Sequence, residues 1–174
     1  KPELITGITR SKPGRLLICN GYKDAEYIRL ALIGKRLGLR VILVIEMPDE
    51  LAMIEREAKR IGVEPELGVR LRLSATYKGK WQDSGGERAK FGLSASQILH
   101  LVEAIKAQGH LSWLRMLHFH MGSQIANLRD IQGGMREACR FLAELHALGA
   151  PIEFVDIGGG LGVDYEGSRS RGAC

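Results

Sequence analysis

With 174 residues, 45% of them apolar, the chain is long enough for one domain with a substantial core and too apolar for disorder. Its formal net charge of +5 comes from lysines and arginines interleaved with acids, as in DELAMIEREAKRIG, and no basic block carries aromatics, which argues against nucleic acid. No run approaches the ~20 apolar residues that span a bilayer, nothing at the start resembles a signal peptide, and Cys19, Cys139 and Cys174 lack metal-type spacing, so a cytoplasmic protein in a reducing compartment is expected.

In chain order, RLLICNG is a short apolar run ended by Asn20-Gly21 and predicts a strand. DAEYIRLALIGKRLG carries Ile28, Leu32 and the Leu37 region at helical spacing, with Asp24 placed to cap the start and Gly38 past the end. RVILVIEMP is a β-branched run halted by Pro48, and DELAMIEREAKRIG is a second helix with Asp49 at its cap and Gly62 closing it. PELGVRLRLS alternates like a strand, and Tyr77 to Arg88 reads as a polar, glycine-containing loop. After it, Phe91 reads as a packing anchor, Ser94 as an N-cap and Lys90 as a surface charge, before a third helix, SASQILHLVEAIKAQG. LSWLRMLHFHMGS predicts a fourth strand, LRDIQGGMREACRFLAELHALG a fourth helix and IEFVDIGGG a fifth strand.

Strands alternating with helices at intervals of ~25 to 40 residues predict parallel strands joined by right-handed crossovers. Two folds satisfy that order, an open doubly wound sheet or a section of a (β/α)8 barrel, and both collect ligands at the carboxyl ends of the strands. Those ends are Asn20-Gly21, Glu46, Ser74, His120 to Ser123, and Gly158 to Gly160.

DIGGGLGVDYEG is the most informative stretch, because three consecutive glycines after an apolar strand let backbone amides approach a phosphate. A tight turn alone is the plain alternative. A dinucleotide fingerprint from Gly158 would require a sixth-position glycine and finds Val163. In LHFHMGS, His118 and His120 share one strand face and could grip an ion, but zinc needs at least three ligands, and the other carboxylates at strand ends are only Glu46 and Asp156. A satisfied core histidine is the ordinary alternative. With Gly122 and Ser123 following, the simplest joint use is an imidazole stacked on a ring and a hydroxyl on its phosphate.

Taken together, KFGL, LHFHMGS and VDIGGGLGVDYEG, in this order, resemble the fold-type III pyridoxal-phosphate decarboxylases, whose catalytic domain is an alanine-racemase-like (β/α)8 barrel of the TIM type. The longer stretches LLICNGYKDAEYIRLALIGKRLG, GKWQDSGGERAKFGLS, GSQIANLRDI and DIGGGLGVDYEGSRS are similar to the branch of that family acting on L-arginine. The resemblance implies a partial pyridoxal-phosphate-binding barrel domain over residues 1–174, about strands two to six, from a lyase that makes agmatine and CO2 in polyamine biosynthesis. It implies that His120 stacks on the pyridine ring, that Ser123 contacts the phosphate, and that Gly158, Gly159 and Gly160 give amides to that phosphate. It places the segment Asp156, Ile157, Gly158, Gly159, Gly160, Leu161, Gly162, Val163 and Asp164 against the substrate. It also implies a homo-oligomer, and it associates a magnesium requirement with this type of enzyme, although the sequence shows no ligand cluster for the ion.

The family's Schiff-base lysine has no counterpart among the lysines here, Lys23 and Lys90 included. The chain starts KPELITG without methionine and stops at Cys174 after EGSRSRGA, so a piece of a larger protein is expected. Five strands cannot close a barrel, which predicts two bare sheet edges, an apolar face left uncovered and an isolated chain that is inactive and marginally soluble. The competing expectations are a non-catalytic regulatory homologue, a decarboxylase of ornithine, lysine or diaminopimelate, and a metal-dependent barrel hydrolase using His118 and His120.

Overall fold

The computed structural model describes residues 1–73, 91–123, 125, 127–160 and 162. The elements are α1 (Pro2–Arg10), β1 (Leu16–Cys19), α2 (Ala25–Arg36), β2 (Arg40–Ile45), α3 (Glu50–Ile61), β3 (Glu66–Leu71), α4 (Ala95–Ala107), β4 (Leu114–Phe119), α5 (Leu128–Ala147) and β5 (Phe154–Asp156). All five strands are parallel and pair in the order β1-β2-β3-β4-β5. A doubly wound sheet reverses its strand order at a switch point, whereas a barrel adds each strand beside the last. The unbroken order therefore selects the barrel section over the open sheet.

Local chemistry explains most boundaries. The Asp24 carboxylate accepts the Tyr27 amide at 2.8 Å at the head of α2, and Ser94 and Gln97 form a reciprocal capping box on α4. Gly62 ends α3 in the left-handed conformation at φ 72°, where a side chain would be strained. Asp49 holds the N-cap position of α3 but makes no side-chain cap bond. Glu50, the first residue of the helix, instead turns its carboxylate back to the Glu46 amide at 2.7 Å and so ties the end of β2 to the start of α3.

Three elements differ from the sequence reading. Helix α1 was not anticipated in KPELITGITR, where glycine and two threonines mask the apolar face that seats buried Leu4 and half-buried Ile8. A Cβ on Gly34 would lie 3.0 Å from Ile8, so that glycine lets α1 close on α2. The fourth strand is shorter than expected, because Leu111–Trp113 forms a 3-10 turn. Phe91 is not a buried anchor but is 40% exposed. The expected loop from Tyr77 to Arg88, together with Ser74, Lys90 and Cys174, lies outside the described residues.

The strands have two differently filled faces. Val41, Leu43, Ile45, Leu67, Val69, Leu117 and Phe119 pack with Ile28, Leu32, Ile54, Ile98 and Ile105 of the helices in the main core. The opposite, inner face carries a small apolar layer of Ile42, Val44 and Met116, flanked by Ile18 and Phe154. Between Leu67 and Gly68 the register shifts and skips Arg115, so Met116 pairs with Gly68 and points inward. Below that layer, at the amino ends of the strands, Arg40 bridges Glu66 at 2.8 Å and Glu153 at 2.6 Å, while Arg115 takes the second Glu153 oxygen at 2.7 Å. Burial works against ionisation of Glu66, yet hydrogen bonds from Lys35 and Arg40 outweigh it and hold its carboxyl below the ordinary range.

At the sheet edges, Leu16 of β1 is 40% and Val155 of β5 39% exposed, so the apolar character of both edge strands is partly uncovered. Gly68 is the tightest point of the inner layer, since a Cβ there would meet Met116 and Val44 at 3.2 Å. Replacing Gly68 with valine overpacks this layer and is expected to destabilise the fold by about 1–3 kcal/mol. A lower urea midpoint with unchanged slope would show it.

Candidate functional site

Side chains two apart on a strand share a face, so the inner face continues upward from the apolar layer into a polar one. Arg70 of β3 pairs in register with His118 of β4, and His118 with Asp156 of β5. Ile45 pairs with Val69, which puts Glu46, the next residue beyond β2, beside Arg70. Four adjacent strands thus contribute Glu46, Arg70, His118 and Asp156 to a single tier at the carboxyl ends. His120 follows two residues above His118. Asn20, Arg70, His118, His120, Asp156, Gly158 and Gly159 line a cavity of about 400 Å³ there. A second cavity, near Gly62 and Trp113, lies at the amino ends of the strands, away from this chemistry.

The tier is held by charge-assisted bonds. Arg70 Nη1 lies 2.8 Å from Glu46 Oε2, and Glu46 Oε1 accepts the Gly21 amide at 2.5 Å. His118 Nδ1 is 3.0 Å from Asp156 Oδ2 and 3.2 Å from the Asp156 carbonyl, and a carboxylate and a carbonyl oxygen both accept. Nδ1 must therefore carry the proton, leaving Nε2 as the acceptor. For His120 the logic reverses, because the Gly159 amide donates to its Nδ1 at 3.4 Å and the neutral ring carries its proton on Nε2. Burial lowers the pKa of both imidazoles, and the Arg70 charge adds to that, while the Asp156 carboxylate pulls both the other way.

The glycine turn packs onto the end of β4. A Cβ on Gly158 would sit 2.7 Å from His120 Nδ1, and one on Gly160 would lie 1.8 Å from the Gly122 carbonyl oxygen and 3.1 Å from the Ser123 Cα. Only glycine fits at Gly160, where φ is +89°. The Gly160 carbonyl accepts the Ile125 amide at 2.8 Å, and the Gly162 amide donates back to Ile125 at 3.0 Å. Gly159 meets nothing within 4 Å, so its backbone opens on the cavity.

Of the residues expected from the sequence, His120, Asp156, Gly158 and Gly159 line the cavity together. Ser123 and Gly160 abut each other beside it, and Ile157 is 44% exposed at the turn. The Gly158 amide donates to Asp156 Oδ1 at 2.8 Å, so it braces the turn. Gly162 is exposed, and Leu161, Val163 and Asp164 lie outside the described residues. Lys23 is buried and bonded to Glu50 and to the Gly21 carbonyl, away from the cavity.

Sequence reasoning missed Arg70 as a site residue and gave His118 no partner. The signal for Arg70 was available, because the alternation of PELGVRLRLS puts its charge on the face opposite Val69 and Leu71. No cluster of three or more His, Cys, Asp or Glu that could hold a metal exists among the described residues. Among the same residues no helix is long and apolar enough to cross a membrane.

A parallel barrel section with imidazoles, an arginine and a glycine turn converging at its carboxyl rim belongs to the class of barrel enzyme domains that bind an anionic ligand at that rim. The chain is a member of the family described as "Pyridoxal-dependent decarboxylase, pyridoxal binding domain", matched over residues 4–173. It is 60% identical over its whole length to the biosynthetic arginine decarboxylase of Alkalilimnicola ehrlichii and 58% identical to that of Xylella fastidiosa, and it spans 28% of each. The crystal structure of the biosynthetic arginine decarboxylase from Campylobacter jejuni superimposes with a TM-score of 0.83 at 31% identity, covering 95% of this chain and 27% of that one. Diaminopimelate decarboxylase from Helicobacter pylori, complexed with L-lysine, gives 0.73 at 28% identity over 87% of this chain and 37% of that one.

The cavity fits the family's cofactor on structural grounds. Gly159 leaves open the space a side chain would fill, and the Arg70 guanidinium supplies a cation beside two imidazoles held toward neutrality.

Burial of His118 also predicts a pH dependence. Its folded pKa lies below the ordinary 6.5, so below that pH the unfolded chain binds more protons and stability falls as pH drops toward the folded value. His118→Asn removes this contribution, so the stability advantage of the histidine form is expected to shrink between pH 8 and pH 5. Urea titrations of both proteins across that range measure it.

Proposed function

We propose that this chain is the cofactor-binding part of a decarboxylase that converts L-arginine to agmatine and CO2 in polyamine biosynthesis, in the cytoplasm and as a homo-oligomer. Identity near 60% along the whole chain to proteins named biosynthetic arginine decarboxylase supports the substrate. The observation that carries the site is the meeting of His120, Arg70 and the glycine turn around one cavity at the strand ends. Residues 1–174 form a partial barrel domain in this reading.

When bound, pyridoxal phosphate supplies an electron sink for the electron pair left as CO2 departs. His120 would stack on the cofactor ring, and its depressed pKa keeps the imidazole neutral, so it would bring no second cation beside Arg70. Ser123 and the Gly160 amide would hold the phosphate against the open backbone of Gly159, since the Gly158 and Gly159 amides already serve Asp156 Oδ1 and His120 Nδ1, while the segment from Asp156 through Asp164 would face the amino-acid substrate. Asp156, bonded to both His118 and the Gly158 amide, keeps the turn in register with β4. The lysine that anchors the cofactor belongs to another part of the protein. A magnesium requirement, if the full protein has one, draws on ligands other than a cluster among the described residues.

A second reading, a decarboxylase of another basic amino acid, is favoured by the similarity to the diaminopimelate enzyme. CO2 release by the full-length protein with added pyridoxal phosphate, measured from arginine, ornithine, lysine and diaminopimelate in parallel, decides between them. Arginine is expected to lead by at least ~100-fold, the discrimination available from unpaired buried polar groups. Release from none of the four would overturn both readings in favour of a regulatory homologue. Gly159→Ala tests the cradle: with open space at that position the variant is expected to melt as the parent does, yet to bind pyridoxal phosphate at least ~10-fold more weakly in a fluorescence titration.

A further inference from the structure

Among the described residues Arg70 is the only guanidinium lining the cavity, and its direction there is set by groups that do not line it. Glu46 has no exposed side-chain surface, while Arg70 is 13% exposed. Both Glu46 oxygens are used, one by the Gly21 amide and one by Arg70 Nη1. Its backbone is fixed as well, since the Glu46 amide donates to Glu50 Oε2 at 2.7 Å. Glu50 is in turn anchored by the buried Lys23, whose amide and ammonium both reach Glu50 Oε1, at 3.0 and 3.1 Å. On its other side the Arg70 guanidinium lies under the Phe91 ring, 5.3 Å from the centroid. Gly92 makes that approach possible, because a Cβ there would stand 3.1 Å from the Arg70 carbonyl oxygen at φ +84°.

We propose that Glu46 is a positioning residue that fixes the direction in which Arg70 presents its guanidinium to the cavity, and so to the cofactor; the last step rests on the function proposed above. The geometry says what Glu46 prevents. Asp156 is the carboxylate that lines the cavity, and it already serves His118 and the Gly158 amide. An Arg70 released from Glu46 turns to Asp156, which draws the carboxylate off the glycine turn and withdraws the cation from the ligand. Because Lys23 and Glu50 anchor Glu46 from the far side, the position of Arg70 is referred back to the β1 and β2 exits and not to the mobile end of its own long side chain.

The test is a double-substitution cycle in the full-length protein. Glu46→Gln keeps the size of the side chain and an acceptor for Gly21 but loses the charge facing Arg70. It is expected to lower kcat ~10- to 100-fold, the loss typical of a misplaced group, with KM for the amino acid changed less than ~3-fold. In an Arg70→Gln background the same change is expected to have less than a ~2-fold further effect, because the two residues act as one unit. Equal losses in both backgrounds, or wild-type kcat in the single variant, would overturn the proposal. Should the glutamine variant fail to fold, Glu46→Asp in both backgrounds decides it, since aspartate keeps the charge and draws the anchor back by one methylene. A crystal structure of the Glu46→Gln protein without cofactor is expected to show Arg70 turned toward Asp156, and an unmoved Arg70 would refute the proposal whatever the enzyme assay gives. If the wild-type protein binds no pyridoxal phosphate, the proposed function fails, and that crystal structure still decides the role of Glu46.

Discussion

The site depends on the pleat of four parallel strands. Because side chains alternate faces along a strand, the register that pairs Gly68 with Met116 also pairs Arg70 with His118 and His118 with Asp156 two residues further on. The bulge at Arg115 is what brings β4 into that phase. A slip of one residue would send His118 and His120 into the helix-facing core and bring Leu117 and Phe119 to the rim. Both arrangements cannot be folded, since Leu117 and Phe119 are fully buried against the helices. The apolar face therefore fixes the polar one, and the fold supplies the tier of charges as a consequence of packing the core.

The tier and the glycine turn are one mechanical unit. Asp156 joins His118 to the Gly158 amide, His120 joins the Gly159 amide, and Gly160 closes on the Gly122 carbonyl. The two histidines of β4 thus hold the turn at the end of β5 through opposite tautomers, one donating from Nδ1 and the other accepting there. Only the His120 contact needs a neutral imidazole, because a charged His118 would still donate from Nδ1, and burial depresses the His120 pKa in the direction that keeps its Nδ1 an acceptor.

Much of this was legible in the sequence, for identifiable reasons. The strand and helix order followed from changes of apolar period, and Asp24, Gly62 and Ser94 announced their helix ends because caps are local chemistry. His120, Ser123 and the glycines could be placed at the rim because they end their strands. Tertiary pairing was not legible. Nothing local says that Glu46 on one strand meets Arg70, 24 residues on, or that Asp156 meets His118 across 38. Phe91 read as a packing anchor, and it does pack, but at a half-open position against the Tyr22 ring and the Arg70 guanidinium, partners that no local pattern announces. Asp49 looked like a cap by type, and it does hold the N-cap position, but its side chain makes no cap bond, while Glu50 beside it is engaged by Lys23 and the Glu46 amide.

The energetics separate the tier from the rest of the inner face. A buried ion pair gains in mutual attraction roughly what it loses in desolvation, and apolar replacements of the same volume are often as stable or more so. This protein uses that apolar solution one layer down, where Ile42, Val44 and Met116 fill the same face with no charge at all. Stability alone would extend it to the rim. Instead the rim carries Glu46 with no exposed surface, Arg70 and His118, braced by a further buried pair, Lys23 with Glu50. The second pair also makes little sense as a source of stability, since it adds desolvated charges in order to hold the Glu46 amide, just beyond the end of β2. It makes sense as a constraint: every charge in the chain from Lys23 to Arg70 is fixed by two or more contacts, and the guanidinium at its end, held between Glu46 and the Phe91 ring, still lines the cavity. Charge buried against the stability gradient and aimed at an open space suits the anion-holding role proposed for this rim, since a guanidinium beside neutral imidazoles and a bare glycine backbone favours negative charge.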